Sequence, residues 1–258
     1  MGTTATGTPP PLRGMNPLYP CSDGMPMAEN GLQYQWIVTL HSNLDDIFAA
    51  NPDVFVAADN LIYPVEGDAG ISQAPDVYVA FGRPKGHRGS YIVHEEGGVF
   101  PQVVIEVRSP NNRAPEMARK LAFYDRHGAE EYYDFDPQKN RLVVYVRAGG
   151  ALAEVPNPNG FVSPRLGVRF DTSGPELAVY RPTGERFLTA QQVMDARAVA
   201  AAEAEAERRR AETEKRRADA AKRRADKAAE QADAAAQEVN RLRELLRAAG
   251  IDPDAPAR

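Results

Sequence analysis

Cysteine is almost missing from this chain: one residue, Cys21, in 258. A single cysteine excludes an internal disulfide and fits a reducing cytoplasm, and its place in a loosely patterned N-terminal stretch makes it a poor nucleophile. Long apolar runs are missing too. No stretch of 18 apolar residues occurs, and the start lacks a charged segment followed by an apolar one, so a soluble, intracellular (cytoplasmic) protein is expected. The four histidines, His41, His87, His94 and His127, have no metal-ligand spacing. His94-Glu95-Glu96-Gly97-Gly98 lacks the second histidine of a zinc-peptidase helix. The glycine-rich loop near residue 86 lacks the Gly-Lys-Ser/Thr ending of a phosphate-cradling P-loop. No serine sits in a nucleophile elbow.

The remaining pattern divides the chain into four parts. Residues 1–33 read as a Pro/Gly-rich flexible arm, 34–189 as one α/β domain, 190–249 as an Ala/Arg/Glu-rich coiled-coil helix and 250–258 as a flexible end. Within the α/β domain, strands are expected over 36–40, 54–63, 76–81, 102–108, 131–136 and 142–147. A helix over 42–50, capped by Ser42, follows the first strand. A second helix begins after the Ser109-Pro110-Asn111-Asn112 break, with asparagine as its cap, and stops at Gly128. A helix between two strands implies a mixed β-sheet flanked by helices.

Two carboxylates disturb this apolar pattern. Asp76 opens the strand PDVYVAF, and Glu106 interrupts PQVVIEV, where an unpaired buried charge would cost several kcal/mol. Lys120 lies on the helix that follows. Alternation along the second strand puts Val104, Glu106 and Arg108 on one face. Two carboxylates on neighbouring strands form a hard oxygen-donor pocket suited to Mg²⁺ or Mn²⁺. A cation held there could acidify water and stabilise phosphoryl charge while a lysine orients the attacking water. Each residue also has an ordinary reading: Asp76 as a turn residue after proline, Lys120 as a solvated partner of Glu116 or Tyr124 four residues away, and Glu106 as a strand-edge residue paired to a neighbour of Arg108.

The segments APDVYVAFGRPKGHRGSY, VVIEVRSP, KLAFYDRHGAEEYYDFDP and LGVRF, within residues 54–171, resemble the PD-(D/E)XK nuclease superfamily and more closely its Uma family of restriction endonucleases. The resemblance implies a restriction-endonuclease-like fold, with Asp76, Glu106 and the Val107 carbonyl as metal ligands and Lys120 as a catalytic lysine displaced onto the helix. One departure is Arg108, which stands where the superfamily has lysine. A fixed cation could clamp a phosphate but could not act as a base.

Charge and the tail complete the picture. Residues 197–249 carry 14 Lys/Arg against 11 Asp/Glu, leaving the remainder with 17 against 25, which is not the footprint of a strong general DNA binder. The candidate DNA contact is the basic loop Arg83-Pro84-Lys85-Gly86-His87-Arg88-Gly89, with Arg83, Lys85 and Arg88 reaching phosphates; its ordinary reading is a solvated hairpin connection. In the tail, positions 218, 225, 232, 239 and 246 are Ala, Ala, Ala, Val and Leu, and positions 221, 228, 235, 242 and 249 are Ala, Ala, Ala, Leu and Ala. This four-and-three spacing is that of a coiled coil, and a homodimer or higher homo-oligomer is expected. The sequence thus predicts a Mg²⁺-dependent endonuclease acting on DNA. The competing reading is a non-catalytic nuclease fold that binds nucleic acid or protein and is multimerised by its tail.

Overall fold

The computed structural model describes residues 16–249. The expected flexible end at 250–258 and the first fifteen residues of the N-terminal arm lie outside them. By its internal contacts the chain divides into two units, the boundary falling between Val193 and Met194.

The first unit opens with α1 (Gly31–Ile47), one helix where a strand over 36–40 and a separate helix over 42–50 were expected. Asn30, in extended conformation, caps it by accepting a hydrogen bond from the Gln33 N–H, so Ser42 is not the start. The β-favouring run Trp36-Ile37-Val38 is overridden because Ile37, Leu40 and Leu44 recur at helical spacing and all three are buried.

The strands follow as β1 (Val54–Ala57), β2 (Ile62–Tyr63), β3 (Val77–Phe81), β4 (Tyr91–Ile92) and β5 (Val103–Val107), then α2 (Ala114–His127), β6 (Glu131–Asp136), β7 (Arg141–Ala148) and β8 (Ala151–Glu154), with β2 and β4 paired apart from the main sheet. Two short strands, β9 (Arg169–Asp171) and β10 (Ala178–Tyr180), pair with each other. The main sheet has the order β1-β3-β5-β6-β7-β8. Its one parallel pair is β5–β6, joined by α2 as a crossover helix, and the other pairs are antiparallel. It is the mixed sheet flanked by helices that the sequence predicts.

Two details differ from expectation. The strand expected over 54–63 is split, because Asp59 adopts a left-handed backbone (φ 56°) that no strand can carry. The α2 cap is also different. Arg113 holds the cap position without a side-chain bond, while Asn112 accepts from the Ser109 N–H and donates to Glu116, knitting the preceding turn. Pro115 sits in the first turn and Gly128, at φ 101°, ends the helix.

Each face of the sheet has its own core. Val77, Val79, Val103, Ile105 and Val107 pack with α1, whereas Tyr78, Val104, Tyr132 and Tyr124 pack on the α2 side. The carboxylates of interest share the parity of the second set.

The second unit consists of the body of α3 (Ala190–Ala248), a helix with no buried residue in the single chain. Val239, Leu242, Leu245 and Leu246 are all exposed on it. Among the described residues no helix is long and apolar enough to cross a membrane.

Candidate active site

Strand register brings the two carboxylates together. β3 and β5 pair with Val77 opposite Ile105 and Tyr78 opposite Val104, and extending that register by one residue sets Asp76 opposite Glu106 on the α2 face. Asp76 Oδ2 accepts a hydrogen bond from the Val107 N–H at 2.6 Å, which fastens the residue before β3 to the end of β5.

Glu106 is almost wholly buried, and both of its oxygens are claimed by α2. Lys120 Nζ donates to Oε2 at 2.7 Å, and the Tyr124 hydroxyl donates to Oε1 at 2.7 Å. Lys120 and Tyr124 are four residues apart, so one face of the helix delivers both. Met117 and Tyr124 anchor α2 in the core and leave Lys120 at the border between core and cleft.

The electrostatics follow from this crowding. Burial and the neighbouring Glu106 charge push the Asp76 carboxyl well above its ordinary value, and the Val107 N–H and Lys120 only partly oppose them. Burial draws the Lys120 ammonium down, but the attraction and hydrogen bond of Glu106, helped by Asp76, outweigh it and raise the pKa. Lys120 is therefore a cation at neutral pH. Burial first, then Glu106, holds the Tyr124 phenol far above its ordinary range, so it remains a hydrogen-bond donor.

A cavity of about 200 Å³ opens at Asp76 and Lys120, lined also by Asp59, Glu29, Gln33 and Glu116; Glu106 and Val107 are not among its lining residues. Gln33 ties the cavity wall together. Its Nε2 donates to the Val107 carbonyl at 2.9 Å, and its Oε1 accepts from the Glu29 N–H. Sequence reasoning missed Gln33, Tyr124 as a partner of Glu106, and Asp59. Tyr124 had a local signal in its spacing from Lys120. Gln33 had none, being 74 residues from Val107.

The other predicted residues fall elsewhere. Arg108 shares the face of Glu106, but its guanidinium makes a two-pronged ion pair with Asp134 on β6, Nε to Oδ1 at 2.5 Å and Nη2 to Oδ2. It lines a separate small cavity with Asp136 and Arg141, so the phosphate clamp expected beside Glu106 is not there. The hydrogen bond to Asp134 raises its pKa against the cost of burial. A better carboxylate partner directly across from Glu106 in the β5–β6 register captured it.

Arg88 is likewise not a surface cation. Its side chain is fully buried, bonded to both oxygens of Glu96 at 2.6 and 3.2 Å and to the carbonyls of Gly86 and Pro84, and it lies 3.7 Å over the Phe55 ring. Arg83 turns inward as well, donating to the Glu96 carbonyl, and Lys85 pairs with Asp45 at 3.2 Å. The expected phosphate-binding loop is instead a strapped connection with Lys85 at the surface. Replacing Arg88 by alanine strands a buried carboxylate, so the variant should lose about 3–5 kcal/mol of stability, read as a lower urea midpoint with an unchanged slope.

Comparison with known proteins places the chain in context. A family model, Uma2, described as "Putative restriction endonuclease", matches residues 24–173. Among curated proteins none matches. A solved structure that matches is described as "a putative nuclease belonging to DUF820" from Anabaena variabilis ATCC 29413. It is 16% identical, with a TM-score of 0.40, over 54% of this chain and 73% of that one.

Proposed function

This chain belongs to the Uma2 family, described as "Putative restriction endonuclease", and from that premise we propose that it is a Mg²⁺- or Mn²⁺-dependent endonuclease hydrolysing DNA phosphodiester bonds, working in the cytoplasm as a homodimer. The observation that carries the reading is the opposition of Asp76 and Glu106 across β3 and β5, with Lys120 bonded to Glu106 at 2.7 Å.

The donor set suits a hard divalent cation. Mg²⁺ is commonly held by one or two carboxylates with water completing the shell, and here Asp76, Glu106 and the Val107 carbonyl would hold it. Among the described residues no group of three or more His, Cys, Asp or Glu side chains stands together as a metal site. The cleft also carries Glu29, Asp59 and Glu116 against one lysine, so a phosphodiester is repelled until positive charge is added. The cation, when bound, supplies charge stabilisation at the phosphoryl group and a more acidic water.

The chain's own residues supply the rest. Tyr124 and Lys120 fix both oxygens of Glu106 and prevent the carboxylate from swinging. Lys120, kept protonated, positions the attacking water and offsets charge on the reacting phosphate, but does not abstract a proton. Asp76, in contact with the Val107 N–H, sets the distance between the strands' ends. Gln33 orients the Val107 carbonyl from α1. Arg83 and Arg88 are tied to Glu96 and Lys85 is paired with Asp45, so the basic loop is not the DNA contact.

Thermal unfolding tests the cation site independently of cleavage. The folded-state pKa of Asp76 is raised, so the fold favours its protonated form. Stability conferred by that form is present below the ordinary value of 3.8 and is lost as pH rises through the folded pKa. Asp76→Asn should therefore melt above wild type in EDTA at neutral pH. Mg²⁺ or Mn²⁺ should raise the Tm of wild type and leave the variant unmoved. An equal response in both proteins would remove Asp76 from the site.

A further inference from the structure

A second cavity, about 670 Å³, adjoins the acidic cleft on the β1 side. The two share Met27 as a wall, and the segment after β1 divides them: Asp59 faces the acidic cleft while Ala58 and Asn60 face the larger cavity. Neither the family match nor the carboxylate site assigns this space a role.

Its volume lies within the range of small-ligand pockets, about 300–1,000 Å³. It is lined by Tyr34, Phe55, Ile37 and Met27 together with His41, His87 and Asn60, and Arg88 already covers one face of the Phe55 ring. The cations beside it are neutralised, Lys85 by Asp45 and Arg88 by Glu96. Burial holds the His41 imidazole below its ordinary pKa, so it too is uncharged at neutral pH. A phosphate finds no free charge in such walls. A planar heterocycle with a hydrogen-bonding edge finds aromatic surface and neutral donors and acceptors. Tyr34, half exposed on the outer face of α1, is the ring open to stack on it.

We propose that this cavity binds an unpaired nucleobase of the substrate strand, seated against Tyr34 while a phosphodiester of the same strand lies at the Asp76–Glu106 cleft. The inference rests on the nuclease reading for its geometry, and adds that the enzyme engages strands with an unstacked base. Stacking on an aromatic side chain contributes strongly to single-strand binding and tolerates any base. Enzymes that seat a base must take it out of a duplex stack or receive it already free.

The test uses the full-length protein and two fluorescein-labelled single-stranded DNA oligonucleotides of equal length, one with bases and one with abasic sugars at its central positions. Affinity is read by anisotropy in Ca²⁺, and cleavage of the same strands is read separately in Mg²⁺ and Mn²⁺. Wild type should prefer the base-bearing strand by roughly 5- to 100-fold, the scale of stacking lost on alanine substitution. Tyr34→Ala should erase the preference and Tyr34→Phe should keep it. Equal affinity of wild type for both strands, with cleavage intact, overturns the base pocket and leaves the nuclease reading standing. A Tyr34-dependent base preference without cleavage in either metal supports the pocket and removes the hydrolytic reading. A preference that survives Tyr34→Ala also overturns the proposal.

Discussion

Asp76→Ala and Glu106→Ala are expected to abolish metal-dependent cleavage, and Lys120→Ala to lower it by about 10² or more, the scale of losing one group that stabilises the transition state. The two carboxylates act as a unit, so the double variant should be no worse than either single one. Glu106→Gln is the sharper control. It keeps the shape and an oxygen for Lys120 or Tyr124 but removes the charge that attracts a cation and holds the Lys120 pKa up. Loss of cleavage with a preserved fold by circular dichroism would assign the effect to charge. Cleavage at wild-type rates by Asp76→Ala in Mg²⁺ would refute the mechanism, and a Gln33→Ala variant separates support from chemistry. Gln33 bonds the Val107 carbonyl from a distant helix, so its removal should weaken the Mg²⁺ dependence of Tm and rate together.

The second large effect concerns the tail. Leu242→Asp with Leu246→Asp should convert an oligomer to a monomer while the α/β unit keeps its own melting transition. Within the four-and-three pattern the Ala layers bury little, whereas Val239, Leu242 and Leu246 provide the larger side chains, half exposed in the single helix. Burying a leucine is worth about 1.5–3 kcal/mol, and a symmetric dimer loses four of them while gaining four carboxylates in its seam. Light scattering decides the outcome. An unchanged mass would mean that α3 is solitary or that the copies meet through the α/β unit.

Much of this was legible in the residues alone. An acidic residue in a Val/Ile strand is costly enough to announce a partner, so Glu106 stood out, and period-two alternation with Gly128 as a stop placed β5, α2 and β6 in order. The tail's helix was equally plain, since Ala, Glu, Arg and Lys favour helix without help from packing. These are properties of short windows, in which each residue's neighbours in sequence are also its neighbours in space. The fold alone decided the partnerships. Arg108 had the parity to join Glu106 but found Asp134 across the parallel pair. Arg88 looked like a phosphate ligand in a basic loop until Glu96 and Phe55 closed around it. The β-favouring run after Gln33 became helix because Ile37, Leu40 and Leu44 had a sheet to cover, which in turn delivered Gln33 to the Val107 carbonyl. A buried charge takes the best counter-charge within reach, and reach is set by how distant strands and helices pack.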